Sequence, residues 1–263
     1  MLPETKLLYH MAAHLDIPLI LPVISLRGVE DMEQETVELI NMELEELEGI
    51  RTPFILNNPL KNDDCLLGLL DEVDDLVRQT LPERQVGKPL YMALEQIGSI
   101  PKRGDFCAGR VLAGKVAVGD QIEAFYQGKT SKANVKDIEI YRKGTKFLQA
   151  GDRGGVFVKL KTEMDFKRGG ILYDPKSKLS VGSEWKVRLK TVSGFGSATL
   201  KGDSVFYSST MTDGKVSLGG NVEIREDAEE IVNMKLSSKI ICKPGDKVII
   251  RNNQVIALGV IET

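Results

Sequence analysis

The sequence predicts a multi-domain chain in which a partial α/β region with a parallel sheet is followed by two all-β barrels. Three observations carry this. Through Leu81, apolar residues recur at helical spacing in three segments separated by two short apolar runs, giving the order helix, strand, helix, strand, helix. Beyond the linker Pro82-Glu83-Arg84-Gln85-Val86-Gly87 the period changes from helical to two. The strand candidates then form two blocks, joined near Lys178 to Gly182 and punctuated by Gly, Asp, Lys and Pro. The domains so delimited are 1–86, 87–180 and 181–263.

In the first region, Thr5 to Leu15 places Leu8, Met11, Ala12 and Leu15 on one helical face, with Lys6, His10 and His14 on the other. The run Pro18 to Ser25 is continuously apolar and suits a parallel strand covered on both faces. Glu33 to Leu47 carries a stripe of Val37, Ile40, Leu44 and Leu47 and an acidic, solvated opposite face. A second strand is expected over Thr52 to Leu56. A helix capped by Asn62 or Asp63 follows, with Leu66, Leu69, Leu70, Val73, Leu76 and Val77 on one face, and Pro82 stops it. Two strands do not complete a doubly wound domain: either further strands come from another segment, or another chain covers the open edge.

The strand candidates of the second block are Leu90 to Leu94, Asp105 to Leu112, Asp120 to Tyr126, Ser131 to Tyr141, Gly155 to Leu160 and Gly170 to Tyr173. Those of the third are Trp185 to Thr191, Ser204 to Ser209, Gly214 to Ile224, Ile231 to Leu236, Lys247 to Arg251 and Val255 to Ile261. Trp185 and Tyr141 read as core anchors.

A 263-residue chain that is 42% hydrophobic can bury a sizeable core. A net charge of -3 argues against binding driven by overall positive charge, so an RNA partner must meet a local basic face, and no DNA partner is expected. The three cysteines, Cys65, Cys107 and Cys242, are far apart and lack CxxC spacing or nearby histidines, so neither a disulfide framework nor a metal site is signalled. A reducing cytoplasm is the expected compartment. No run approaches the roughly 20 apolar residues of a membrane span, and the first residues lack a signal-peptide layout, so no membrane partner is expected. His10 and His14 have no nucleophile or carboxylate at triad or metal spacing and read as helix-surface residues; no catalytic residue is assigned.

Three stretches of the middle block carry a resemblance: Lys88-Pro89-Leu90 at its start, Ser99-Ile100-Pro101-Lys102-Arg103-Gly104 as a turn, and Gly109-Arg110-Val111 in a strand. They resemble the second domain of elongation factor Tu-like translational GTPases. Ile17-Pro18, the helix around Glu38 to Leu47, Pro82-Glu83-Arg84, and the closing Lys247 to Arg251 and Val255 to Ile261 extend the resemblance across nearly the whole chain. It implies the second half of a degenerate, P-loop GTPase-like G domain, then barrels similar to domains two and three of elongation factor Tu. The sequence holds no Gly-x-x-x-x-Gly-Lys-Ser/Thr loop; Gly128-Lys129-Thr130 has Glu123 where the first glycine belongs. The guanine-reading Asn-Lys-x-Asp is replaced by a stretch containing Arg27 and Asp31, and the second guanine loop corresponds to Asn58-Pro59-Leu60. GTPase chemistry therefore cannot reside in these residues alone, and no cofactor is expected here, GTP and Mg entering only with an upstream P-loop segment.

The same resemblance implies that the second domain holds the aminoacylated 3′ end of a tRNA, with the ribosome as further partner. Glu95 matches the acidic residue before the family's aromatic platform, and Gly98 stands where elongation factor Tu has its phenylalanine. A base stacked on such a ring gains ~1–3 kcal/mol, which the glycine forfeits. Glu139 and Arg142 match residues lining the same pocket; on the bland alternative they are a surface pair of little energetic weight. Arg153 replaces an asparagine of elongation factor Tu, and arginine there is similar to the selenocysteine-specific, SelB-like branch; a guanidinium so placed would favour an anionic or strongly polar aminoacyl group. Lys102 and Arg103 are candidates for RNA-backbone contact, and as hairpin residues they equally keep a sheet edge soluble. The implied function is binding or delivery of a specialised aminoacyl-tRNA. The alternative is a nucleotide-free paralogue serving as a ribosome- or protein-interaction module.

Overall fold

The structure, a computed structural model, describes residues 3–26, 34–47, 54–56, 63–81, 83–101, 103–162, 169–192, 195–200, 204–208, 213–217, 221–226, 228–251 and 256–262. The chain divides into two compact units, Met1–Glu83 and Arg84–Thr263.

The first unit runs α1 (Pro3–His14), β1 (Val23–Ser25), α2 (Gln34–Glu45), β2 (Phe54–Leu56) and α3 (Asp63–Gln79). The strands pair in parallel with Val23 opposite Phe54, in line with the predicted element order. Each is short, and Pro18 to Pro22 stay outside the strand, as prolines without an N–H would impose. The small core joins Tyr9, Leu44 and Leu47, with Ile20, Ile24 and Ile40 packed on it, so the stripe expected of α2 does face inward. On α1 the inward residue is Tyr9, whereas Leu8 is 63% exposed, which rotates the packing face from the one read by spacing. Among the described side chains of α3 only Leu76 is buried; Leu66, Leu70, Val73 and Val77 of the predicted apolar face are each more than 40% exposed. Among the described residues no helix is long and apolar enough to cross a membrane.

In the second unit, β3 (Tyr91–Ile100), β4 (Gly104–Ala113), β5 (Lys115–Ala117), β6 (Gln121–Tyr126), β7 (Lys129–Ile140), β8 (Lys143–Gly144), β9 (Phe147–Gln149), β10 (Arg153–Leu160) and β11 (Ile171–Tyr173) follow one another. Seven of them form a sheet in the order β10-β4-β3-β11-β6-β7-β8, and a further pairing of β10 with β7 closes it. β5 and β9 make a separate ribbon. The interior is filled by alternating residues such as Met92 and Leu94, Cys107 and Val111, Ile122 and Ala124, Val135, Ile138, Val156 and Val158. Burial pushes the Cys107 thiol up to about 12, with Asp105 nearby adding to the shift, so this cysteine is a packed hydrophobe rather than a nucleophile.

The chain then builds β12 (Ser180–Thr191), β13 (Ala198–Leu200), β14 (Val205–Ser208), β15 (Asp213–Ser217), β16 (Val222–Ile224), β17 (Glu229–Cys242), β18 (Lys247–Arg251) and β19 (Ile256–Ile261). A closed barrel β12-β17-β15-β14-β18-β19 results, with β13 and β16 as an accessory pair. Two differences from the sequence reading have clear causes. The expected strand Gly214 to Ile224 is two strands, β15 joining the barrel and β16 pairing β13, and β17 continues past Leu236 because Ser180–Gly182 extends its partner β12. Trp185 is buried, its indole N–H donating to the Gly182 carbonyl at 3.1 Å, as expected of an anchor.

Apolar residues join the two barrels. Tyr91, Phe125, Ile171 and Tyr173 of the first pack with Ile241 of β17. The Tyr173 hydroxyl donates to Glu123 at 2.7 Å, and burial together with that carboxylate pushes its pKa well up, so the phenol stays a neutral donor.

Close strand crossing in the first barrel depends on Gly109, where an added Cβ would lie 1.9 Å from the Ala93 carbonyl oxygen. Gly109→Ala is expected to lower stability in urea denaturation by ~1–3 kcal/mol or more. Gly98→Ala, whose Cβ meets nothing within 4 Å, should stay within ~0.5 kcal/mol of the parent.

Candidate functional site

β10 is the strand around which a site forms. Its first residues pair on one side with β4, Arg153 opposite Arg110, Gly154 opposite Gly109 and Gly155 opposite Ala108. On the other side Gly155 pairs with Glu139 of β7. Glu95 on β3 falls at a register shift between Leu94 and Gln96, and such a bulge re-aims the side chain it carries. These strands, with the turn after β7, enclose a cleft of about 820 Å³.

The floor of the cleft is small-residue backbone: Ala108, Gly109, Gly154 and Gly155. A Cβ at Gly154 would meet the Glu139 carbonyl oxygen at 2.8 Å, so the strand approach here excludes side chains. One wall is the ring of Phe106. It lies directly over Gly155, where a Cβ would come within 2.1 Å of the ring, and it is tilted against Phe157 with centroids 5.0 Å apart. The buried Phe157 ring carries the Arg103 guanidinium 3.9 Å from its centroid. Arg103 also donates to Asp137 at 2.5 Å and reaches Glu139 at 2.7 Å. Glu139 and then Asp137 hold its charge, raising its pKa further above the ordinary value. A second ion pair ties Arg153 to Glu95. The cleft is thus bounded by two arginine–carboxylate pairs, each partly exposed.

At the rim, β7 and β8 are joined by a two-residue turn, Tyr141-Arg142, with φ of 49° and 64°. Both residues having positive φ is the geometry of a type I′ hairpin turn, for which Asn-Gly is the favoured pair. A bulky tyrosine in the left-handed region is uncommon enough to suggest a functional constraint. Tyr141 is 91% exposed. The core-anchor reading of this residue is therefore overturned: strand alternation would have buried it, but it is the turn residue that ends the strand.

Of the residues singled out by sequence, Glu95, Glu139, Arg142 and Arg153 all line the one cleft. Glu139 pairs with Arg103 rather than with Arg142, which has no ion pair among the described residues. Gly98 is exposed on β3 and outside the cleft lining, but it pairs directly with Phe106 on β4. Arg103, a candidate for RNA-backbone contact, has its guanidinium occupied by two carboxylates and a ring. Lys102, Arg27, Asp31 and Asn58 lie outside the described residues. Sequence reasoning missed Phe106 as a wall of the site. The signal was present in the hairpin register, since the turn after Ile100 places Phe106 opposite Gly98. Among the described residues no group of three or more His, Cys, Asp or Glu is arranged to hold a metal ion.

Residues 104–173 match the family model described as Elongation factor Tu domain 2. The chain is also similar in structure to the apo form of translation elongation factor SelB from Methanococcus maripaludis, with a TM-score of 0.74 and 19% sequence identity. That similarity covers 97% of this chain and 60% of the other, so the chain spans less than two thirds of the length of the protein it matches.

The packing of Phe106 over Gly155 is testable by a double-mutant cycle. Gly155→Ala should cost ~1–3 kcal/mol through overpacking, and Phe106→Ala in the same background should recover most of it. Additive costs in denaturant titration would contradict the contact.

Proposed function

We infer, for a chain whose fold is that of an elongation factor Tu-like translational GTPase of the SelB-like branch, that the cleft of its first barrel binds the aminoacylated 3′ end of a specialised tRNA. The observation that carries this reading is the convergence of Glu95, Glu139, Arg142 and Arg153 on one cleft with an aromatic wall.

The parts suit a terminal nucleoside bearing an amino acid. The Phe106 ring offers a flat apolar surface for a base, in place of a ring at position 98, and a stacked base gains ~1–3 kcal/mol. Gly154 and Gly155 let the Glu139 backbone and the Phe106 ring come close, which sets the shape of the cleft and the position of the ring. Arg142, which has no ion pair among the described residues, supplies a cation for a phosphate or carboxylate, and Glu95 and Glu139 supply acceptors for hydroxyl or ammonium groups. Because Arg153 is held by Glu95, its charge is partly offset, and an anionic aminoacyl group would compete with that carboxylate for it. No step is assigned to GTP or Mg: the sequence holds no phosphate loop. The ribosome is the further partner on this reading.

The test is protection of the aminoacyl ester. Wild-type chain should slow spontaneous deacylation of its charged tRNA, and Phe106→Ala should weaken protection about 5- to 150-fold, the range set by one stacked base. Equal, weak and steeply salt-dependent binding to charged and uncharged tRNA in filter assays would contradict aminoacyl recognition.

A further inference from the structure

The β5–β9 ribbon carries a second, basic surface outside the cleft. Lys115 pairs with Gln149 and Ala117 with Phe147, so Lys115 and Phe147 stand diagonally on the ribbon's outer face while Val116 and Leu148 fill the barrel. The Lys115 ammonium sits 3.8 Å from the Phe147 ring centroid, and the ring is 39% exposed. Lys146 precedes Phe147, its carbonyl accepting from the Val118 N–H at 3.0 Å, and Val118 is itself exposed. Lys143 begins β8 and follows Arg142, so the cations run from the ribbon to the rim of the cleft.

Asp137 and Glu139 are paired with Arg103, and Asp152 with Arg84. Asp120, which accepts from the Ala117 N–H at 2.8 Å, keeps its charge beside the ribbon but is outnumbered by the cations. Lys143 and Lys146 are exposed and have no ion pair among the described residues. In a chain of net charge -3, a local run of four cations, Lys115, Arg142, Lys143 and Lys146, interleaved with an exposed ring, has the character of a single-stranded nucleic-acid surface: cations for phosphates, a ring for a base.

We propose that Lys115, Lys143, Lys146 and Phe147 form a binding surface for a single-stranded RNA segment, distinct from the aminoacyl cleft and independent of whether the RNA is charged. The probe is a fluorescein-labelled 12-nucleotide oligo(U), titrated by anisotropy over a range of salt. The wild-type chain should bind with an affinity that falls as salt rises. The triple variant K115Q/K143Q/K146Q should flatten the slope of log K against log salt by about 2, at ~0.7 for each phosphate no longer neutralised. Phe147→Ala should weaken binding about 5- to 150-fold with the slope unchanged. Both variants should keep the wild-type Tm and any protection of an aminoacyl ester, which separates this surface from the cleft. Absence of salt-dependent binding by the wild type, a triple variant with the wild-type slope, or a Phe147→Ala variant of unchanged affinity would each overturn the proposal.

Discussion

The double pairing of β10 is the constraint on which the first barrel and its site depend. Because one strand is hydrogen-bonded to β4 along one edge and β7 along the other, the sheet closes, and residues distant in sequence meet within a few ångströms. Glu95, Arg103, Glu139 and Arg153 come from four separate segments: Arg153 reaches Glu95 across the shared neighbour β4, and closure through β10 and β7 brings Arg103 to Glu139. Glycine is what permits it: Gly154 and Gly155 leave room for the Glu139 backbone and the Phe106 ring, where side chains would collide. Filling those positions would disturb barrel and cleft together.

The ion pairs themselves are modest contributors to stability, since all four partners remain partly exposed to solvent that screens them. Their importance is geometric. They fix which carboxylates are occupied and leave Arg142, on a turn with two left-handed residues, as a cleft cation without an ion pair among the described residues. The cleft is built into a well-packed barrel, while the turn that rims it departs from ordinary backbone preference.

Much of the architecture was legible in the sequence because period-two alternation with glycine punctuation is a direct image of a barrel strand, and closed barrels of both blocks are present. The element order of the first unit was equally readable, yet its packing was not. An amphipathic stripe such as Leu66, Leu70, Val73 and Val77 announces an apolar face without saying what meets it, and here those residues stay exposed. The short strands Lys115–Ala117 and Phe147–Gln149 escaped because three residues are too few to display a period. In the cleft, Glu95, Glu139, Arg142 and Arg153 were found by resemblance to a translation factor. Phe106 was not, because its role follows from register across a hairpin rather than from its own neighbours. Tyr141 was misplaced for a related reason: an aromatic at the end of an alternating run looks buried until the turn geometry is known.

The central claim is that the cleft beside β10 receives a terminal nucleoside against Phe106. Photocrosslinking with a charged tRNA ending in 2-azidoadenosine, followed by peptide mass mapping, tests it most directly. The label should fall on the peptides containing Phe106 and Tyr141, and excess unlabelled charged tRNA should suppress it. Labelling confined to the second barrel, or labelling of the cleft that uncharged tRNA suppresses equally well, would contradict the account.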